Sequence, residues 1–235
     1  MPWRLESRGP EERGAMPKTH DNLWPGIVAF ANLDAALDAA ARGRRFKDDV
    51  SPFLVRRETE LLRLQHELVT GTYRPSGYNS FWVVEKKRRL ISAPAFRDRV
   101  VHHALCRVVM PLFERKMIDD SYANRPGKGT HQAILRTQEF CRRFPLALKC
   151  DIVKYFPSID LQLLKALCRK TVRCTPTLRL LDLIVDSSNP QEPVCTWFPG
   201  DDLLAAAERR VGLPIGCLTS QWLANVFLTD FDHWV

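Results

Sequence analysis

The chain has 235 residues, of which 45% are hydrophobic, so it can bury a sizeable core as one large or two small domains. Its 35 Lys and Arg exceed its 27 Asp and Glu and give a net charge of +8. That balance favours polyanionic partners such as nucleic acid, although a merely soluble basic surface has the same charge. No apolar run approaches the roughly 18 residues of a membrane span, and no signal-peptide pattern begins the chain. These absences exclude a membrane partner and favour a cytoplasmic location.

The first half of the chain is predicted to be mainly helical after a leader. Residues 1–20 mix charge, Gly and Pro without periodicity, which predicts a disordered leader. Apolar periodicity and helix formers predict four helices, over Leu33–Arg42, Glu58–Val69, Arg97–Met110 and Thr130–Arg143. Two β-prone runs, Ser80–Val84 and Arg89–Ser92, flank a basic tip and predict a hairpin that binds phosphate or stays solvated.

The second half is predicted to contain a strand followed by helices. Alternation over Leu146–Val153 places apolar residues on one face of a strand and Asp151 on the other. Asp160 is a candidate cap for a helix ending at Arg169, and a second amphipathic helix follows over Thr177–Asp186. Residues 187–210 have the composition of an insertion, and Thr219 or Ser220 is a candidate cap for the last helix.

The seven cysteines are a separate feature of the composition. They lack the paired spacing of metal ligands, and most lie in apolar stretches. The sequence therefore predicts reduced, buried thiols.

A lone Asp on a strand is most often a solvated or structural group, but Asp151 lies among four motifs. They are Lys86–Pro94 with Arg97–His103, then Ser121–His131, then Asp151–Asp160 (DIVKYFPSID), and finally Gly212–Gln221 (GLPIGCLTSQ) leading into Ala-Asn-Val-Phe. In this order, over about residues 30–235, they resemble the reverse transcriptase family. Gln221 stands where many members carry Pro. With this residue, the motif looks most like that of the diversity-generating retroelement and group II intron-like branch.

The resemblance implies an α+β right-hand polymerase fold. Residues 21–145 would form the fingers, with N-terminal helices and the basic hairpin, and residues 146–235 a partial palm whose sheet is backed by helices, with the thumb absent. The implied reaction is RNA-directed DNA synthesis, in which deoxynucleotides are added to a primer 3′ end. The implied partners are an RNA template, a DNA or RNA primer and deoxynucleoside triphosphates, and an accessory protein is a candidate.

The resemblance also implies a metal site. Polymerases of this kind use two Mg²⁺ ions, which carboxylates must bracket. Asp151 would be the first catalytic carboxylate and a metal ligand, and the backbone carbonyl of Ile152 would be a second oxygen ligand.

Four further residues would bind the incoming nucleotide. By the resemblance, Lys87 and Arg89 contact the triphosphate, and Phe156 is a steric gate that excludes a 2′ hydroxyl. Gly216 would let the backbone approach the incoming base pair. Core packing is the alternative role for Phe156, and a tight turn is the alternative explanation for Gly212 and Gly216.

The chain departs from the family pattern at its end. The aromatic-x-Asp-Asp turn that completes the metal site is absent, and none of the Asp pairs at 48–49, 119–120 and 201–202 follows the last helix. Asp201 and Asp202 instead predict a turn or a helix start. The chain is therefore expected to be C-terminally truncated and inactive alone. The alternative is a non-catalytic RNA-binding remnant of the same fold.

Overall fold

The computed structural model describes residues 19–85, 88–189, 194–202 and 204–235. It has mixed architecture, mostly helical with one small sheet. The elements in chain order are α1 (Trp24–Val28), α2 (Phe30–Ala41), α3 (Ser51–Val55), α4 (Arg57–Thr70), β1 (Tyr78–Val84), β2 (Arg88–Pro94), α5 (Phe96–Glu114), α6 (Thr130–Arg143), α7 (Tyr155–Ser158), α8 (Leu161–Arg169), α9 (Thr175–Asp186), α10 (Ala205–Glu208) and α11 (Leu218–Trp234). No helix in these ranges is both long and apolar enough to cross a membrane.

Helix α5 is the centre of the hydrophobic core and packs against α1, α2 and α11. The side-chain amide of Asn32 on α2 donates to the carbonyl of Ala104 on α5 at 3.1 Å. On the α11 side, the ring of Trp222 packs on Phe113 with centroids 5.2 Å apart, and its Nε1 donates to Cys106 Sγ at 3.0 Å. Apolar burial and a few interhelical polar contacts thus hold the helices around α5.

The predicted helices are confirmed with boundaries shifted by a few residues. The side chain of Asp160 accepts from the amides of Gln162 and Leu163, so it caps α8 as predicted. The predicted cap of the last helix is wrong. The N-cap of α11 is Cys217, and Thr219 and Ser220 are buried within its first turn, where no side chain caps the helix.

The hairpin is also confirmed. Strands β1 and β2 pair antiparallel, with Tyr78 opposite Pro94 and Val84 opposite Arg88. The chain that enters β1 is fixed by Asp98, a buried carboxylate on α5. Asp98 accepts from the Tyr73 hydroxyl at 2.8 Å and from the Ser76 amide at 2.7 Å.

The predicted strand over Leu146–Val153, and with it the palm sheet, is not formed by the described residues. Their one sheet consists of β1 and β2, and residues 146–153 have no strand partner. Leu146 and Leu148 are 89% and 91% exposed. A strand needs a neighbour to pair its backbone groups, and none of the described segments supplies one here. The preceding helix α6 is amphipathic, yet none of its residues is buried.

Three smaller expectations have mixed outcomes. All seven cysteines are free, but Cys141, Cys150 and Cys195 are exposed, so uniform burial was wrong. Residues 1–18 of the predicted leader lie outside the described residues, and His20, at its predicted end, pairs with Val172. The prediction for the Asp201–Asp202 pair is confirmed. Asp201 accepts from the Phe198 amide in a turn, and Asp202 accepts from the amides that begin α10.

Candidate functional site

The segment 210–213 joins two of the sequence motifs through its backbone. The Leu161 amide donates to the Arg210 carbonyl at 3.0 Å, and the Gly212 amide donates to the Ile159 carbonyl at 2.9 Å. The Leu213 amide donates to the Phe156 carbonyl at 2.9 Å. The Asp151–Asp160 motif and the Gly212–Gln221 motif are therefore neighbours in the fold, although about 50 residues separate them in sequence.

The same segment continues onto the hairpin. The Ser92 amide of β2 donates to the Ile215 carbonyl at 2.7 Å. Gly216 follows with φ +118°, a conformation that side-chain-bearing residues rarely adopt. A Cβ at this position would lie 2.9 Å from Ile91 Cγ2 and 3.1 Å from the Ser92 carbonyl oxygen. Close approach to β2 therefore requires glycine at position 216.

The hairpin register determines the direction of its basic side chains. Arg89 is opposite Val83, and Ile91 is opposite Phe81. Opposite and alternate residues share a face in an antiparallel pair, so Arg89 lies on the face of Ile91, beside Gly216. Arg88 lies on the other face, with its guanidinium 4.0 Å from the centroid of Trp82. Lys87 lies outside the described residues.

A basic cavity of about 360 Å³ opens beside this face of the hairpin. Its lining combines residues from α2, the loop after α2, the hairpin, α5 and the start of α11: Ala39, Ala40, Arg42, Arg44, Phe81, Ile91, Ala93, Pro94, Arg99, His102, His103, Gly216, Leu218 and Gln221. None of these lining residues is acidic. Arg99 forms an ion pair with Asp49, and its Nε is buried without a hydrogen bond among the described residues.

The two cavity histidines differ from the arginines in charge. His102 is fully buried, with its Nδ1 3.5 Å from the Thr219 hydroxyl. Burial and the neighbouring His103 lower the pKa of His102 to about 4. The pKa of His103 is also lowered, by burial and by Arg99 and Arg107. His102 is therefore neutral at pH 7, and the positive charge of the cavity comes from its guanidinium groups.

The predicted metal ligands lie in the unpaired segment before α7. Asp151 and Ile152 are both exposed. In the described ranges, no group of three or more His, Cys, Asp or Glu side chains is close enough to hold a metal ion. The described residues therefore do not by themselves fit a two-ion Mg²⁺ site, because Asp151 is a single carboxylate.

Phe156, the predicted steric gate, is in the short helix α7. It is half-buried, packs against the hydrophobic core and makes an edge contact with Tyr155 at a centroid distance of 5.8 Å. The Tyr155 hydroxyl donates to the Ala224 carbonyl of α11 at 2.5 Å and so anchors α7. Core packing and partial accessibility thus coexist at Phe156, and its role as a gate stays a prediction.

Sequence reasoning missed Arg42 and Arg44 as cavity residues. The only local signal is the cluster of basic residues after α2, ARGRRFK, which ends with Lys47. Loop residues have no periodicity that reveals which side chains face a cavity, so this charge cluster alone could not distinguish a lining from a solvated surface.

Comparisons with known proteins give distant relatives, and no family model matches the sequence. The chain is 27% identical over 184 residues to protein YkfC of Escherichia coli K12, covering 75% of this chain and 45% of that protein. It is 23% identical over 218 residues to the group II intron-encoded protein LtrA of Lactococcus lactis subsp. cremoris, and the match covers 91% of this chain and 34% of LtrA. It is 28% identical over 99 residues to nuclear intron maturase 1, mitochondrial, of Arabidopsis thaliana, and the match covers 41% of this chain and 14% of the maturase.

The chain thus spans less than half the length of these curated relatives. Among solved structures, a Cas6-RT-Cas1–Cas2 complex shows a weak similarity, with a TM-score of 0.49, 20% identity and coverage of 98% of this chain and 24% of the matched chain. The sequence matches show a distant similarity to intron-encoded proteins, and this similarity supports the predicted resemblance to the reverse transcriptase family. The similarity to diversity-generating retroelement enzymes stays a prediction.

Gly216→Ala should lower the free energy of unfolding by about 2 to 4 kcal/mol, because the added Cβ meets β2 and the backbone conformation is strained. Gly127→Ala is the matched control. Gly127 also has a positive φ, +70°, but an added Cβ there would meet nothing within 4 Å. Urea unfolding of both variants measures the difference. An equal loss of unfolding free energy in the two variants would show that the contact between the added Cβ and β2 is not destabilising.

The stability of the protein should fall as pH decreases from 6.5 toward 4, because the unfolded state binds a proton at His102 that the folded state excludes. The contribution is on the order of 3 kcal/mol over this window. In His102→Asn the fall should shrink by about this amount. Unfolding free energies at several pH values test this. An undiminished fall in His102→Asn would contradict it.

Proposed function

We propose that this chain is the fingers and partial palm of an RNA-directed DNA polymerase, which adds deoxynucleotides to a primer 3′ end on an RNA template. The observation that carries the proposal is the basic cavity. Beside the cavity, a backbone hydrogen bond joins Ser92 of the hairpin to Ile215 next to the Gly216 turn, and another joins Leu213 to Phe156. A concave, positively lined surface with an apolar wall fits a nucleotide and its phosphates.

The arginines of the site have roles that follow from their chemistry. Arg89 is exposed on the cavity side of the hairpin and binds the triphosphate, since a planar guanidinium can donate to two phosphate oxygens at once. Lys87, next to it in sequence, adds a point charge. The cavity arginines Arg42, Arg44 and Arg99 bind the phosphate backbone of the RNA template and the DNA or RNA primer.

Phe156 and Gly216 act on the sugar and base of the deoxynucleoside triphosphate. Phe156 supplies an aromatic ring under the sugar that leaves no room for a 2′ hydroxyl. Gly216, which has no side chain, allows the incoming base pair to lie against backbone. The hydrogen bond between the Leu213 amide and the Phe156 carbonyl supports the two roles together, because it holds both motifs at one place.

The proposal includes a Mg²⁺ site that the described residues supply only in part. Asp151 and the backbone carbonyl of Ile152 would bind Mg²⁺, a hard cation that prefers oxygen ligands. Further carboxylates of an aromatic-x-Asp-Asp turn would complete the site in a longer protein. Residues 1–235 alone are therefore expected to lack polymerase activity. The enzyme would act in the cytoplasm, with an accessory protein as a candidate partner.

A second candidate is a non-catalytic RNA-binding module of the same fold. It is favoured by the single exposed carboxylate of the site and by the lack of any metal-binding group of side chains in the described ranges. The basic cavity would then bind RNA without chemistry. The two candidates differ in the outcome of substitutions at Asp151.

Asp151→Ala should abolish primer extension by the full-length protein that the reading frame encodes, because one catalytic carboxylate is lost. Its affinity for RNA should be unchanged or slightly higher, since a negative charge is removed. Asp119→Ala, at another exposed carboxylate, is the matched control and should keep full activity. Extension of a labelled primer on an RNA template and RNA titrations measure the two effects.

The outcomes of this experiment separate the candidates. Robust extension by Asp151→Ala would overturn the catalytic role of Asp151. If the unsubstituted full-length protein binds RNA but extends no primer in the presence of Mg²⁺, the binding module is the correct function.

Phe156→Ala in the active full-length protein should allow ribonucleotides to be incorporated, because the ring that excludes the 2′ hydroxyl is gone. The ratio of kcat/KM for deoxy- over ribonucleotides should fall by at least about tenfold. Phe140→Ala, at a ring that α6 exposes, is the control. An unchanged ratio in Phe156→Ala would leave Phe156 as a core residue only.

A further inference from the structure

A groove separate from the basic cavity is formed by the end of α4, the start of α9 and α1. Helix α1 packs against both of the other helices and contributes the half-buried Trp24. The groove has a volume of about 590 Å³, which is within the range of ligand-binding clefts. Its lining shares no residue with the basic cavity: Trp24, Leu68, Val69, Thr70, Gly71, Tyr73, Arg74, Pro176, Arg179, Leu180 and Leu183.

The walls of the groove are mainly aliphatic. Pro176, Leu180 and Leu183 recur at spacings of four and three residues, so they lie on one face of α9. Leu68 and Val69 of α4 also line the groove, and Val69 is 60% exposed. Aliphatic walls receive apolar side chains of a partner helix, but they give no stacking surface for the bases of a nucleic acid.

Two arginines supply the charge of the groove. Gly71, with φ +71°, ends α4, and Arg74 then donates to the carbonyls of Gly71 at 3.2 Å and Tyr73 at 2.8 Å. These bonds hold Arg74 beside the end of α4. Arg179 lies on α9, and both arginines are exposed. None of the lining residues is acidic, so the lining itself leaves both guanidinium groups available to external carboxylates.

We propose that this groove binds an acidic amphipathic helix of a partner protein. Apolar side chains of that helix enter between α4 and α9, and its carboxylates pair with Arg74 and Arg179. A second copy of this chain fits less well. Its exposed amphipathic helix, α6, carries Arg142 and Arg143 in the last turn, and like charges repel. The site is independent of the proposed polymerase reaction, because it uses none of the residues assigned to that reaction.

Fluorescence anisotropy of a labelled synthetic peptide tests the site on the full-length protein. The peptide is a helix of about 16 residues, with leucines at helical spacing on one face and glutamates beside them. We expect saturable binding. A peptide with Gln in place of Glu should bind about tenfold more weakly because it lacks the charges, and a peptide with Ser in place of Leu should also bind about tenfold more weakly.

Substitutions of exposed side chains locate the binding surface without disturbing the core. The double variant Arg74→Gln, Arg179→Gln should weaken peptide binding about fivefold, because two exposed ion pairs are lost. Val69→Glu should weaken it about tenfold, since it adds a negative charge to the wall. The matched controls are Arg142→Gln, on α6, and Val55→Glu, on α3, which replace equally exposed residue types outside the groove. Both controls should leave the affinity unchanged.

Several outcomes would overturn the proposal. One is the absence of saturable binding, and another is an equal loss of affinity in the groove variants and the controls. If an RNA oligonucleotide displaces the peptide and itself binds less tightly to the groove variants, the groove is an RNA surface. If sedimentation shows self-association that Val69→Glu abolishes, the occupant is a second copy.

Failure of the proposed polymerase function would be a different result. In that case the unsubstituted full-length protein extends no primer, whereas the peptide titrations still decide whether the groove binds an acidic helix.

Discussion

The close approach of residues 210–216 to two separate parts of the chain is the constraint on which the site depends. On one side their backbone bonds to Phe156, Ile159 and Leu161, and on the other Ile215 bonds to Ser92 of β2. Gly216 allows this second contact because any side chain there would meet β2. This crossing links the hairpin and α7 to the chain that leads into α11.

The charge of the cavity is a consequence of the same arrangement. The helices that support it bury His102 completely and lower the pKa of both histidines, so neutral rings line its wall. Its positive charge is carried by arginines, whose guanidinium groups stay protonated across the physiological range. A surface built this way attracts phosphate with a strength that depends little on pH near neutrality and strongly on salt.

The sequence predicted those parts of the fold that local patterns determine. Helix periodicity predicted α4, α5 and α6, and two β-prone runs predicted the hairpin, because these patterns are properties of neighbouring residues. The strand at Leu146–Val153 was wrong because pairing depends on a distant segment that periodicity does not identify. Arg42 and Arg44 were missed for the same reason. Their place in the cavity comes from contact between elements far apart in sequence, whereas Gly216, which also lines the cavity, lies in a sequence motif.

The free cysteines differ in exposure, and this difference allows one of them to be labelled chemically. Burial raises the pKa of Cys106 and Cys168 to about 12 and that of Cys217 to about 11, so these thiols stay protonated and shielded. Cys150 is exposed and directly precedes Asp151. With the exposed Cys141 and Cys195 and also Cys174 replaced by serine, a maleimide dye would attach selectively at Cys150, beside the proposed catalytic carboxylate. Fluorescence from that dye would follow the ordering of this segment in real time.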